Sequence, residues 1–251
     1  MIPDTPRGRS RVKFVTEGEA SLHYCLHGIS LDDINKDGYV IADLGGGTLD
    51  FSTYRVIATN PLRIEEICAA RCELQGSTFV TARAKEFIKE KLKSSKYGSD
   101  QLVKQIGERF DETTKMIFRD TNDVCLIPFG SILDKDLENG IRSGKLKLSG
   151  DEVATFFKPS IAASLAAIVN FANESSNVYL VGGFSASPYL KAQLKERLLA
   201  FNINVACPDG QTVAKFSYGM ALVVIYDAAD PEHLARIKSI HSSLWAKSSS
   251  R

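Results

Sequence analysis

The sequence predicts an α/β protein, on three observations. Strand-like and helix-like segments alternate along most of its 251 residues. An apolar strand, Tyr39-Val40-Ile41-Ala42-Asp43, runs into Leu44 and three glycines, and a second apolar run comes at once after them. Much later a short buried strand, Asn177-Val178-Tyr179-Leu180-Val181, ends in Gly182-Gly183 ahead of a helix.

Taken in order, residues 11–16 read as a short strand and 17–26 as a helix closed by Gly28. Residues 32–38 form a polar turn. The strands 39–43 and 49–57 make a hairpin across the glycines, because alternation resumes in Phe51-Ser52-Thr53-Tyr54-Arg55-Val56-Ile57. Residues 62–69 are a third strand. Residues 78–92 are helical, with Phe79, Ala82, Phe87 and Ile88 expected on the buried stripe. A loop at 94–100 leads to a second helix, 101–118, whose Met116, Ile117 and Phe118 are expected in the core. Residues 124–129 read as a strand ended by Pro128, and 140–150 as a hairpin. Ser149 and Glu152 form a capping box for the helix starting at Asp151. Pro188 opens a helix over 189–199, and a last helix runs from 213 to 229. The serine-rich tail, 242–251, has the composition of a disordered segment.

Composition excludes several classes. A net charge of +1 gives no electrostatic reason to expect nucleic acid or an anionic membrane as partner. The five cysteines are scattered, and Cys68 and Cys72 are a pair without a second pair, too few for a structural zinc site. The reading is a reduced, cytoplasmic protein. The start, Met1-Ile2-Pro3-Asp4-Thr5-Pro6-Arg7, lacks the apolar core of a signal peptide. The longest apolar helical stretch, 161–172, is too short to span a bilayer.

The chemistry lies in Asp43-Leu44-Gly45-Gly46-Gly47-Thr48-Leu49-Asp50. Three glycines leave no side chains between backbone and ligand, so their N–H groups can converge on an anion. Two flanking carboxylates would repel phosphate unless a divalent cation sits between them, which points to a Mg²⁺-phosphate site. A Walker loop is excluded, since no Gly-Lys-Ser/Thr is present and the next element is a strand. The dinucleotide Gly-x-Gly-x-x-Gly is excluded for the same reason. Gly182-Gly183 before a helix offers a second close backbone approach. Other residues have plainer readings. His23 and His27 are four apart, but Tyr24 stands where a zinc protease needs glutamate. Lys85, Lys89, Lys91 and Lys93 interleave with Glu86 and Glu90 as a solvated helix face.

These motifs resemble a family. Asp43 to Asp50 closely resembles the second phosphate loop of the seventy-kilodalton heat-shock chaperones, and Val181-Gly182-Gly183-Phe184-Ser185 resembles their adenosine loop. Val15-Thr16-Glu17-Gly18-Glu19-Ala20-Ser21-Leu22-His23-Tyr24-Cys25 is similar to their Glu-Pro-x-Ala-Ala helix, with Gly18 in place of the proline. Gly76-Ser77-Thr78-Phe79-Val80 looks like the divergent branch typified by heat-shock protein twelve A. The resemblance runs from about residue 12 to 229.

It implies an actin-like ATPase (RNase-H-like) fold binding ATP or ADP with Mg²⁺. On that resemblance Asp43 and Asp50 hold the metal through water, and Glu17 orients water or metal. Gly45, Gly46, Gly47 and Thr48 bind phosphates, and Gly76 lies beside the ribose. Gly182, Gly183 and Ser185 line the adenine and phosphate side of the cleft. Glu112 and Lys115, three apart on one helix face, either pack on the adenosine or form a surface ion pair. Co-chaperones or client proteins are the partners implied.

The family's first phosphate loop, Asp-x-Gly-Thr-Thr, and the lysine after it have no counterpart. The expectation is therefore mainly one lobe: residues 1–37 as the last strand and helix of the first lobe, 38–75 with 150–229 as an RNase-H-like core, 76–149 as an inserted α+β subdomain, and 230–251 as a polar tail. Two functions are implied: an ATP-binding, chaperone-like protein, or a truncated remnant without turnover. A sugar or acyl kinase of the same superfamily ranks behind both.

Overall fold

The computed structural model describes residues 15–26, 29, 38–172 and 177–208. Two compact units divide the chain, one of Glu17–Ser217 and one of Met1–Thr16 with Tyr218–Arg251. Of the second, only Val15 and Thr16 are described, and they are irregular rather than part of a strand. Residues 11–14, His27, Gly28, the turn at 32–37, the helix expected over 213–229 and the tail lie outside the described residues.

In chain order the first unit contains α1 (Glu17–Leu26), β1 (Tyr39–Leu44), β2 (Leu49–Thr59), β3 (Leu62–Glu73), α2 (Ser77–Lys91), α3 (Asp100–Arg109), β4 (Val124–Pro128), β5 (Ile141–Arg142), β6 (Lys145–Ser149), α4 (Gly150–Ala172), β7 (Asn177–Val181), α5 (Pro188–Leu199) and β8 (Asn204–Ala206). The main sheet has the order β3-β2-β1-β7-β8. It is mixed: β1, β2 and β3 are antiparallel neighbours, while β7 runs parallel to both β1 and β8. This is an α/β architecture with helices on both faces. On one face Leu22, Cys25 and Leu26 of α1 cover Tyr39, Ile41, Tyr54, Val56 and Val181. On the other, side chains of α2, α4 and α5 bury Val40, Ala42, Leu44, Leu49 and Phe51.

The region between β3 and α4 carries its own antiparallel sheet, β4-β6-β5. Cys125, Ile127, Leu146 and Leu148 face inward there, and they belong to the same hydrophobic core as the main sheet.

Phase departs from expectation in two helices. In α2 the fully buried residues are Val80, Thr81, Ala84 and Ile88, so of the expected stripe Ile88 is buried and Phe87 packs half-buried against the core. Ala82 is exposed, and Phe79 and Phe87 are not fully buried. A 3.6 period sets spacing, whereas the docking of the first turn sets which phase turns inward. The helix expected over 101–118 is interrupted by a π-helical turn, Phe110–Thr114, before a closing turn, Lys115–Ile117. The wider turn rotates the residues after it. Phe118 stays in the core, but Met116 and Ile117 are exposed, contrary to expectation.

The capping box forms as expected. The Ser149 N–H donates to Glu152 Oε2 (2.8 Å), and the Glu152 N–H donates to Ser149 Oγ (3.2 Å). The helix it starts, α4, spans 23 residues, much longer than the apolar stretch at 161–172. By length and apolarity it reaches what a membrane crossing requires, but half of its apolar window is buried inside the protein. Pro159 lies within it and removes one intrahelical hydrogen bond. The turn around Pro159 is braced from α2. Arg83 Nε donates to the Phe156 carbonyl (2.6 Å) and Arg83 Nη2 to Ser160 Oγ (2.9 Å), while Nη1 reaches Gln75 Oε1 (2.9 Å). Desolvation by this packing lowers the guanidinium pKa, with no carboxylate bonded to it among the described residues. Replacing Arg83 with methionine should destabilise the fold by about 2 kcal/mol, since it removes charge-assisted bonds and strands Ser160. Urea unfolding of the variant measures this.

Candidate functional site

The hairpin between β1 and β2 closes through the Gly45 N–H, which donates to the Thr48 carbonyl (2.9 Å). The other loop carbonyls are taken by the start of α2. The N–H groups of Ser77, Thr78 and Gly76 donate to the carbonyls of Gly45 (3.1 Å), Gly46 (2.9 Å) and Gly47 (3.2 Å). Thr78 Oγ1 also donates to the Gly46 carbonyl (2.8 Å). These are N–H groups that a helix start leaves without intrahelical partners.

The geometry of the peptide unit then dictates the opposite face. In a trans peptide the N–H points away from the carbonyl before it. With the carbonyls of Gly45, Gly46 and Gly47 gripped from behind, the N–H groups of Gly46, Gly47 and Thr48 face outward together. Among the described residues they donate to no carbonyl. A Cβ on Gly46 or Gly47 would meet nothing within 4 Å. The outcome is a set of backbone donors on the side away from α2, with open space about Gly46 and Gly47, an arrangement that suits an anion.

Gly76 is buried behind this loop and not exposed on the open side. A Cβ there would lie 2.6 Å from the carbonyl carbons of both Gly46 and Gly47, so only glycine allows the approach.

Three acids gather at the mouth. Asp43 ends β1 and pairs in register with Asp50 on β2. Glu17, the first residue of α1, reaches Asp43 closely enough to share a hydrogen bond. Burial, then the charge and hydrogen bond of Glu17, then the charge of Asp50, push the Asp43 carboxyl up to about 7. Gly18 permits this: a Cβ there would lie 2.6 Å from Tyr54 Oη and also strike Ser52, so glycine lets the first turn of α1 sit directly on β2.

The second glycine turn meets the first at the same point. Gly182 has a φ of 81°, and a Cβ on it would collide with Asp43 Oδ1 and lie 2.7 Å from the Leu44 carbonyl oxygen. Parallel pairing of β1 with β7, Asp43 opposite Val181, brings them together. Gly183 faces open space, since a Cβ there would meet nothing within 4 Å. Ser185 is buried and its hydroxyl donates to the Gly182 carbonyl (2.7 Å), so it shapes the turn from within.

The Glu112 and Lys115 side chains do not pair. Glu112 is exposed and bonds Arg109 (2.9 Å), while Lys115 pairs with Asp111. The cause is the π-helical turn, which breaks the three-residue spacing. Lys115 is buried, and its ammonium also donates to Thr81 Oγ1 (3.1 Å) and the Ser77 carbonyl (3.3 Å). Its three donors are thus engaged just behind the first turn of α2.

Two neighbours of the site are given no role by the motifs. Thr78 grips the loop as described. Cys72 lies opposite Asp50 in the β2–β3 register, and its thiol is raised first by a hydrogen bond to that carboxylate. Continuing the register back from the Asn60–Pro61 turn would put Arg71 opposite Asp50; the register shifts along β3 bring Cys72 there instead. Among the described residues no three His, Cys, Asp or Glu side chains are grouped tightly enough to enclose a metal directly.

A family model described as a domain of unknown function (DUF8340) matches residues 32–156. The match takes in Asp43, the glycine loop, Asp50 and Gly76, and ends before Gly182. No curated protein matches the chain.

Two outcomes are expected. A raised folded-state carboxyl pKa means the folded state binds the proton more tightly than the unfolded one. The stabilisation from Asp43 is therefore full below about pH 4 and is lost as pH rises through about 7. Thermal melts from pH 5 to 8 should show a decline that Asp43→Asn flattens, on the order of 1–2 kcal/mol after allowing for partial exposure. Gly182→Ala should destabilise by roughly 2 kcal/mol or more, through both its left-handed backbone and its collision with Asp43, and chemical denaturation reads it out.

Proposed function

We propose that this chain binds the phosphates of ATP or ADP as a Mg²⁺ complex, as a lobe of an actin-like ATPase of the heat-shock-chaperone type. The observation that carries the reading is the outward set of N–H groups at Gly46, Gly47 and Thr48, with Asp43, Asp50 and Glu17 beside it. Donors alone suit any anion. Donors beside three carboxylates suit an anion that arrives with a cation.

The acids themselves fit Mg²⁺. A carboxyl that holds its proton up to about pH 7 beside two others is a group whose charge lacks compensation. Oxygen donors are the hard ligands Mg²⁺ prefers, and a metal that keeps most of its waters needs no tight protein cage. When bound, the metal would neutralise phosphate charge. Asp43 and Asp50 would hold it, and Glu17 would orient water near it. Gly45 to Thr48 would cradle phosphate, with the Gly182–Gly183 turn as the facing edge where a flat base could approach.

The mixed five-stranded sheet supports an RNase-H-like lobe, with the glycine hairpin near its centre and the second glycine turn on the adjacent parallel strand.

Calorimetric titration of the purified chain with Mg²⁺-ATP and Mg²⁺-ADP tests the reading. Binding should require Mg²⁺ and should weaken at least about tenfold in Asp43→Ala. Gly46→Val is the sharper variant. Its side chain enters space empty of described protein atoms, so the melting temperature should hold while binding is lost. An absence of Mg²⁺-dependent binding by the native chain would sink the proposal. Phosphate release above the Asp43→Ala level would make the chain an ATPase; binding without release would make it a nucleotide-binding lobe without turnover.

A further inference from the structure

We propose that two copies of this chain pair edge to edge through β3, antiparallel and related by a two-fold axis at Cys68. At 12 residues β3 is the longest strand, and it lies at the edge of the main sheet with β2 as its only strand neighbour among the described residues. None of its residues is fully buried. A long edge strand of this kind presents a row of backbone groups ready to pair with another strand.

The sequence of β3 is complementary to itself. With a two-fold axis at Cys68, Arg63 falls opposite Glu73 of the second copy and Glu65 opposite Arg71. Leu62 falls opposite Leu74, Ile64 opposite Cys72, and Ile67 opposite Ala69. Charges of opposite sign thus meet twice on each side of the axis, and like charges never meet. Directly opposed unlike charges favour antiparallel pairing, and like charges oppose it.

The faces agree as well. Arg71 and Glu73 lie opposite Phe51 and Leu49, and Glu65 lies opposite Arg55, all odd-numbered positions of β2 that point to one side of the sheet. Ile64 and Cys72 lie opposite Val56 and Asp50, which point to the other. The strand shifts register twice against β2 between Arg71 and Glu66, and two shifts restore the parity that one would destroy. Glu65, Arg71 and Glu73 therefore share one face of the joined sheet and Ile64 and Cys72 the other, where Glu66 also lies, opposite Tyr54; Arg63, opposite Ala58, follows one further register shift. Leu74, just past the strand and 67 % exposed, gains Leu62 as its neighbour. Such pairing is isologous, each contact occurring twice.

Sedimentation of the full chain under reducing conditions, from about 1 to about 100 µM, tests this. A concentration-dependent dimer is expected. Glu65→Arg places like charges together at two symmetry-related points and should raise the dissociation constant about tenfold. The double variant Glu65→Arg with Arg71→Glu restores opposite signs and should recover the dimer. Circular dichroism confirms that each variant is folded. Mild oxidation should link two chains through Cys68, identified by peptide mass mapping and abolished in Cys68→Ser. A monomer throughout the range overturns the proposal. So does a dimer indifferent to Glu65→Arg, or a double variant that stays monomeric while folded. None of these readouts involves nucleotide, so this proposal and the nucleotide site stand or fall separately.

Discussion

The grip of the α2 start on the glycine loop is the constraint on which the rest of the site depends. Three successive carbonyls accept from three successive N–H groups, Gly76 to Thr78. Each half solves a problem for the other: the helix start has donors without partners, and the loop has carbonyls without a strand opposite. Planarity of the peptide then leaves no choice about where the loop's own N–H groups point. A helix N-terminus usually offers its N–H groups to a ligand directly. Here it is spent on holding another set of donors in place.

The glycines divide into two kinds by what surrounds them. Gly18, Gly76 and Gly182 are contact glycines, each occupying a spot where a Cβ would strike neighbouring atoms. Gly46, Gly47 and Gly183 are open glycines with no described atom near. The contact glycines draw α1, α2 and the β7 turn onto one hairpin. The open ones keep its outer side bare. That division also explains how three acids come to lie together despite their mutual repulsion. Strand pairing sets Asp43 opposite Asp50, and the close seat of α1 brings Glu17 to them. Part of the repulsion is relieved by a proton held on Asp43.

Much of this is legible in the sequence, for identifiable reasons. The glycine hairpin, the β7 strand and the capping box at Ser149 rest on local signals, and local signals survive tertiary context. Glu17, Asp43 and Asp50 are marked by their motifs and do lie together. Matters of phase and packing escape such reading. The π-helical turn at 110–114 leaves no mark on periodicity, so spacing points Lys115 to Glu112 when its partner is Asp111. The buried stripe of α2 is displaced because the loop, and not the helix itself, sets its rotation. The short strand β8 gives no periodic signal, being three residues long with only one of them half-buried. Gly76 and Ser185 enter as ligand groups through resemblance alone; in the structure both are buried, Gly76 against the loop carbonyls and Ser185 within its own turn.

The attachment of α2 also has a mechanical meaning. A helix of 15 residues is a stiff rod roughly 22 Å long, and this one is pinned at its first turn to the back of the loop. Its far end meets α3 through the Lys89–Asp100 ion pair and α4 through Lys91–Glu152. With Val80, Ala84 and Ile88 buried along its length, α2 is a single strut that ties the bare loop to the helical layer.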